Sequence, residues 1–212
     1  KGEELVSVGE AFTVERSTPH GHVETVLGMV RKLGVDTLIS STPSRERDLV
    51  VAMVVQRILS GTSKLADTRL WHTCTLAEEL GLEDADENDL YSAMDWLLKR
   101  QVRLEKKLAK RHLQCGSAAF YDVSSSYYEG HTCPLTQFGH DRDGKAGHEI
   151  IVYGVLTDAE GRPVSVQVYP GNTGDPATVP DQVEKLREHF GLNRVALVGD
   201  RGMLTQAQIN KI

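Results

Sequence analysis

Two apolar runs that each end on an aspartate, seventy-eight positions apart, constrain this chain more than any other feature. The first is Ala118-Ala119-Phe120-Tyr121, which closes on Asp122 and passes into Val123 and the serines Ser124 to Ser126. Aromatic and aliphatic residues bounded by a hydroxyl cluster are the pattern of a buried strand giving way to a turn. The second is Val195-Ala196-Leu197-Val198, followed by Gly199-Asp200-Arg201-Gly202. Four apolar residues in succession fit a strand covered on both faces, as in a parallel sheet. A carboxylate at the carboxyl end of such a strand stands where α/β sheets gather their ligands. The pattern predicts that Asp122 and Asp200 meet at neighbouring strand ends and hold a divalent metal there.

What lies between the two acids fits that layout. Ile150 to Leu156 and Val164 to Tyr169 read as strands, and the turn residues Asp158 to Pro163 join them into a hairpin. Thr178 to Phe190 has a helical stripe at Val179, Val183, Leu186 and Phe190, with Gly191 as its stop. Residues 131–147 and 170–176 read as loops. The order from residue 115 is therefore strand, two-stranded hairpin, helix, strand, and a helix just begun at Leu204, an α/β arrangement. Residues 1–114 read as mainly α-helical. Val23 to Leu33 stops at Gly34. A buried helix runs from an N-cap at Thr42, with Pro43 first, to Gly61. Ser63 to Trp71 is a further helix, Thr75 and Glu78 form a capping box, and one long helix spans about Asp86 to His112. Residues 4–16 alternate weakly, as a short hairpin would. The chain starts on Lys1 and stops inside the last helical pattern, so it reads as a piece of something longer.

Net charge is −6, which for the chain as a whole disfavours a polyanionic partner. The charge is unevenly placed, however. Leu76 to Asp95 holds eight acids and no base, whereas Lys99 to Arg111 holds seven bases against Glu105 alone. Local patches decide where a polyanion can sit. Lys99, Arg103 and Lys107 on the basic stretch can therefore track a phosphate backbone, or they can simply complement the helix dipole. Three cysteines with no C-x-x-C pair give no disulfide framework and fit a reducing cytoplasm. No apolar run approaches ~18 residues, so nothing predicts a membrane span. His131, Cys133, His140 and His148 match no common zinc spacing. Ser124 to Ser126 have no histidine placed by motif to activate them. Taken singly, Asp122 also reads as a turn cap and Asp200 as a helix N-cap.

Four motifs stand in a set order: Tyr121-Asp122-Val123-Ser124-Ser125, Asp141-Arg142-Asp143-Gly144, Tyr169-Pro170-Gly171-Asn172-Thr173 and Val198-Gly199-Asp200-Arg201-Gly202-Met203. Together with Leu76 to Leu82, Asp89-Leu90-Tyr91 and Asp95 to Leu98 upstream, this set resembles the DDE transposases of bacterial insertion sequences. The resemblance implies a ribonuclease-H-like mixed sheet with flanking helices over 115–212, incomplete, preceded by the helical region 1–114. It implies Asp122 and Asp200 as the first two catalytic acids. The third, a Glu on a later helix, has no counterpart here, because Glu188 precedes the second acid and Glu129 follows the first too closely. It further implies Mg²⁺ or Mn²⁺ as cofactor, DNA transposon ends and target DNA as partners, and the bacterial nucleoid as the place of action. Arg142, Lys145 and Arg201 are the cations expected to border the phosphate path. Two other readings stay open. One is a non-catalytic DNA-binding or oligomerising piece of the same fold. The other is a metal-dependent nuclease that does not join strands.

Overall fold

A computed structural model of the chain describes residues 9, 13–130, 132–142, 144, 147–206 and 210. The predicted hairpin over residues 4–16 lies largely outside them. The chain forms two compact units, Lys1–Gln101 and Val102–Ile212. Among the described residues no single helix is long and apolar enough to cross a membrane.

The first unit is helical. Helix α1 (Gly21–Leu33) buries Val23, Leu27 and Val30 and ends on Gly34, whose φ of +69° is the left-handed conformation glycine adopts without strain. A short α2 (Val35–Ile39) leads to α3 (Arg45–Leu59), buried from Leu49 to Met53 and again at Val55 and Gln56, so it forms the centre of this core. The N-cap of α3 is Ser44, not Thr42, because the Ser44 hydroxyl accepts the Arg47 amide while Thr42 is tied to Ser40. Helix α4 (Lys64–Leu70) starts on Ser63 as expected and runs into a 3₁₀ turn at Trp71–Thr73. Helix α5 (Leu76–Leu80) lacks the predicted capping box, because the Thr75 hydroxyl is turned to His20 Nδ1 at 2.8 Å. The capping box stands instead at Asp86 and Asp89, opening α6 (Glu87–Leu98).

The predicted long helix is two helices. At its midpoint the Arg100 amide bonds Leu97 O at 2.9 Å, an i−3 closure. Its guanidinium takes the Trp96 carbonyl at 3.0 Å and lies 3.6 Å over the indole. That closes the α-helical ladder, and α7 (Gln101–His112) begins anew. Because α7 buries Ala109 with the residues of the sheet, the second unit starts at Val102 rather than at 115.

The second unit is a four-stranded mixed sheet in the order β3-β2-β1-β4. Strands β1 (Ala118–Tyr128), β2 (Glu149–Asp158) and β3 (Pro163–Pro170) are antiparallel, and β4 (Ala196–Val198) lies parallel to β1. Helix α8 (Asp175–Glu184) continues as a π turn, Lys185–His189, before β4. The side-chain period of two divides the sheet. Tyr121, Val123, Ile150, Val152, Leu156 and Tyr169 form the core with Ala109, Val179, Leu186 and Met203, and Val164 joins them only because the β2–β3 register shifts between Leu156 and Thr157. Phe120, Val166, Val168 and Val198 on the alternate face stay 41–46% exposed. β4 is thus not covered on both faces as its apolar run predicted. β1 also outruns its expected end, because Val123 to Tyr128 go on pairing with β2 from Gly154 to Glu149.

Candidate active site

The pairing of β1 with β4 ends at Phe120 opposite Val198. Two residues further along each chain stand Asp122 and Asp200, on the same parity and on the open face. A Cβ at Gly199 would lie 3.4 Å from the Tyr121 carbonyl, so the two chains still run side by side one residue short of both aspartates. A cleft of about 500 Å³ opens there, lined by Phe120, Tyr121, Asp122, Val155, Thr157, Val198, Gly199 and Asp200. Asp122 is held near mid-strand on β1 by the hairpin to β2, opposite Val155. Asp200 follows Gly199, the first residue beyond β4.

The two carboxylates are differently engaged. Asp122 Oδ1 accepts the Val123 amide at 2.9 Å. For Asp200 the main-chain carbonyl, not the side chain, takes the following turn, accepting from Met203 N at 3.0 Å and Leu204 N at 3.2 Å. Asp200 also lines the cleft. Two hard oxygen donors beside solvent fit a divalent cation of the Mg²⁺ type, which keeps several waters and binds through one or two carboxylates. Among the described residues no third His, Cys, Asp or Glu joins them. Glu188 sits on the π turn and pairs with Arg187, and Glu129 lines a separate cleft with Tyr128, Phe138 and His148.

The expected basic residues are scattered. Arg142 pairs with Asp175 in the first turn of α8, and its amide donates to Ser125 Oγ at 3.3 Å, so it braces the loop and does not line the cleft. Lys145 lies outside the described residues. Arg201 is exposed beside Asp200. Lys99 lies between α6 and α7, and Arg103 and Lys107 lie on α7. Val155 and Thr157, which form the β2 side of the cleft, were not singled out by sequence; the hairpin register would have found them, since Asp122 opposes Val155 and Phe120 opposes Thr157.

No protein-family model and no curated protein matches the sequence. Among solved structures the chain is similar to the Mos1 transposase paired-end complex with left transposon end, at a TM-score of 0.31 and 13% identity. The match covers 95% of this chain and spans 66% of that one.

Proposed function

We propose that this chain is the part of a DNA transposase that contributes Asp122 and Asp200 to a phosphoryl-transfer site on a ribonuclease-H-like sheet. The observation that supports this reading is the shared cleft, which Asp122 and Asp200 both line from 78 positions apart in sequence. The element order β1, β2–β3 hairpin, α8, β4 is the order on which the resemblance rests. Two Mg²⁺ or Mn²⁺ ions, when bound, supply an activated oxygen nucleophile and a counter-charge for the leaving oxygen. The protein's own part is placement. Asp122 is fixed by continuous β1–β2 pairing, and Asp200 stands two residues beyond the short parallel strand β4. Phe120 and Val198 wall the cleft with apolar surface, which strengthens charge interactions at the carboxylates. The ligands are transposon-end and target DNA, and the setting is the bacterial nucleoid.

The test is nicking of supercoiled plasmid in Mn²⁺ or Mg²⁺ by the longer parent protein that supplies the third acid, since the two acids of this chain alone are expected to be inactive. Metal-dependent nicking that falls to background in Asp122→Asn and in Asp200→Asn is the expected result. Nicking untouched by both substitutions contradicts the proposal. Joining of cut ends to a second DNA separates a transposase from a nuclease of the same fold. A non-catalytic binding role is favoured by two observations: the Asp122 carboxylate is already bonded to the Val123 amide, and among the described residues Asp122 and Asp200 are the only acids lining the cleft. Metal-independent DNA binding without nicking would select it.

A further inference from the structure

The positions on α7 that a buried amphipathic helix would fill with apolar residues carry cations instead. Arg103, Lys106, Lys107, Lys110 and Arg111 are spaced i, i+3, i+4, i+7 and i+8, which places all five on one face of the helix. The opposite face holds Glu105 and Ala109, both buried. It is anchored to the sheet unit through Glu105, which accepts the Val166 amide at 3.2 Å and pairs with Lys185. The basic face is therefore presented on a helix whose other side is fixed in place.

Two ordinary explanations fail on position. Dipole complementation works only within the last turn, which covers Lys110 and Arg111. Arg103 stands in the first turn, where the dipole disfavours a cation and where α7 has no acid at all. Solubility needs no contiguous like charge, and cations three and four residues apart destabilise a helix. Among the described residues Arg103, Lys106, Lys110 and Arg111 are exposed and in no ion pair that would relieve that repulsion.

We infer that this face of α7 is a docking surface for the phosphate backbone of a nucleic-acid duplex, read without sequence. From Arg103 to Arg111 the helix advances about 12 Å, a length over which a duplex presents about seven negative charges. A lipid surface fits less well. Membrane-seated helices insert an apolar face, and that face of α7 is in the protein core. The inference deepens the reading of the chain as a DNA-acting protein and is tested apart from it.

The test is fluorescence anisotropy of a labelled duplex of arbitrary sequence, titrated with the chain from 50 to 200 mM salt. Arg103→Ala with Lys106→Ala and Lys110→Ala is compared with Arg31→Ala, Lys32→Ala and Arg57→Ala, which remove equal charge from the helical unit. The α7 variant is expected to bind at least about tenfold more weakly at low salt. Its salt dependence should flatten by about 2 to 3 in log–log slope, near 0.9 for each phosphate no longer neutralised. The control should stay within twofold of the parent. The α7 variant should melt no lower than the parent, since alanine favours helix and the repulsion is gone; Gln at the same three sites repeats the test. Equal weakening in both variants, or parental binding by the α7 variant, overturns the inference. So does binding through these residues to vesicles containing phosphatidylserine when the duplex is not bound. Asp122→Asn with Asp200→Asn tests the cleft separately, through loss of nicking in the parent protein. Nicking abolished there, with binding untouched in the α7 variant, leaves the proposed function standing and removes this surface.

Discussion

The two faces of the sheet are built from the same strands and do opposite things. On the covered face polar groups are locked in place. Lys185 Nζ donates to Ser165 Oγ at 2.8 Å and Gln167 Oε1 at 3.2 Å and sits 3.4 Å from Glu105. Gln182 donates to the Tyr169 hydroxyl at 2.9 Å. Burial, and then the neighbouring Tyr121, push that hydroxyl well above the ordinary tyrosine range, so it stays protonated. On the open face Asp122 and Asp200 stand beside solvent among valines and a phenylalanine that nothing described covers. A period of two thus separates stability from chemistry: what holds the sheet together is one residue away from what the sheet offers to a ligand. The two should accordingly fail independently.

The largest expected effect lies on the covered face. Lys185→Met strands the Glu105 carboxylate in the interior, and breaking a buried pair from one side costs about 3–5 kcal/mol. Adding Glu105→Gln, which can still accept the Val166 amide, should recover most of it in urea denaturation. A single-variant loss near zero would mean the pair is not holding this face.

Gly154→Ala comes next. A Cβ there would meet the Tyr121 hydroxyl at 2.1 Å and its ring at 2.6 Å, an overpacking cost of about 1–3 kcal/mol. In a double-mutant cycle with Tyr121→Leu the two losses should fall short of adding.

The buried Asp158 ties the stability of the covered face to pH. Burial pushes its carboxyl up, but hydrogen bonds from the Arg162 amide and side chain, with the charges of Arg162 and His112, hold it below the ordinary carboxylate range. A depressed folded-state pKa contributes stability above the unfolded value, about pH 4, and loses it as pH falls through the folded value. Asp158→Asn should therefore melt below the parent at pH 7, with the difference closing below about pH 4; a difference constant with pH contradicts this.

The smallest effect belongs to the open face. Val166→Thr and Val168→Thr should change stability by no more than about 0.5 kcal/mol. A larger loss would show that these side chains pack against something in solution.

The elements whose ends are marked chemically were readable in advance. The β2–β3 hairpin follows from Asp158 to Pro163, and the stop of α1 from Gly34. Both carboxylates of the cleft could be named because each ends an apolar run. What could not be read depends on partners distant in sequence. Ser124 to Ser126 look like a turn, but pairing with Ile151 to Tyr153 keeps them in β1, with Ser125 buried. The apolar run at 195–198 looks doubly covered, yet Val198 is 41% exposed because a strand's own sequence does not say what lies over it. The break between α6 and α7 comes from Arg100 taking the Trp96 carbonyl, a side-chain choice that periodicity does not encode. Val155 and Thr157 enter the cleft only through register.

Asp122 and Asp200 are proposed to share a divalent cation. Mn²⁺ titrated into ¹⁵N-labelled chain tests it directly through paramagnetic broadening of amide signals. Weak binding that broadens Tyr121 to Val123 and Gly199 to Arg201 first, and that is lost in Asp122→Asn and in Asp200→Asn, is the expected result. Broadening centred elsewhere, or unchanged by either substitution, would contradict it.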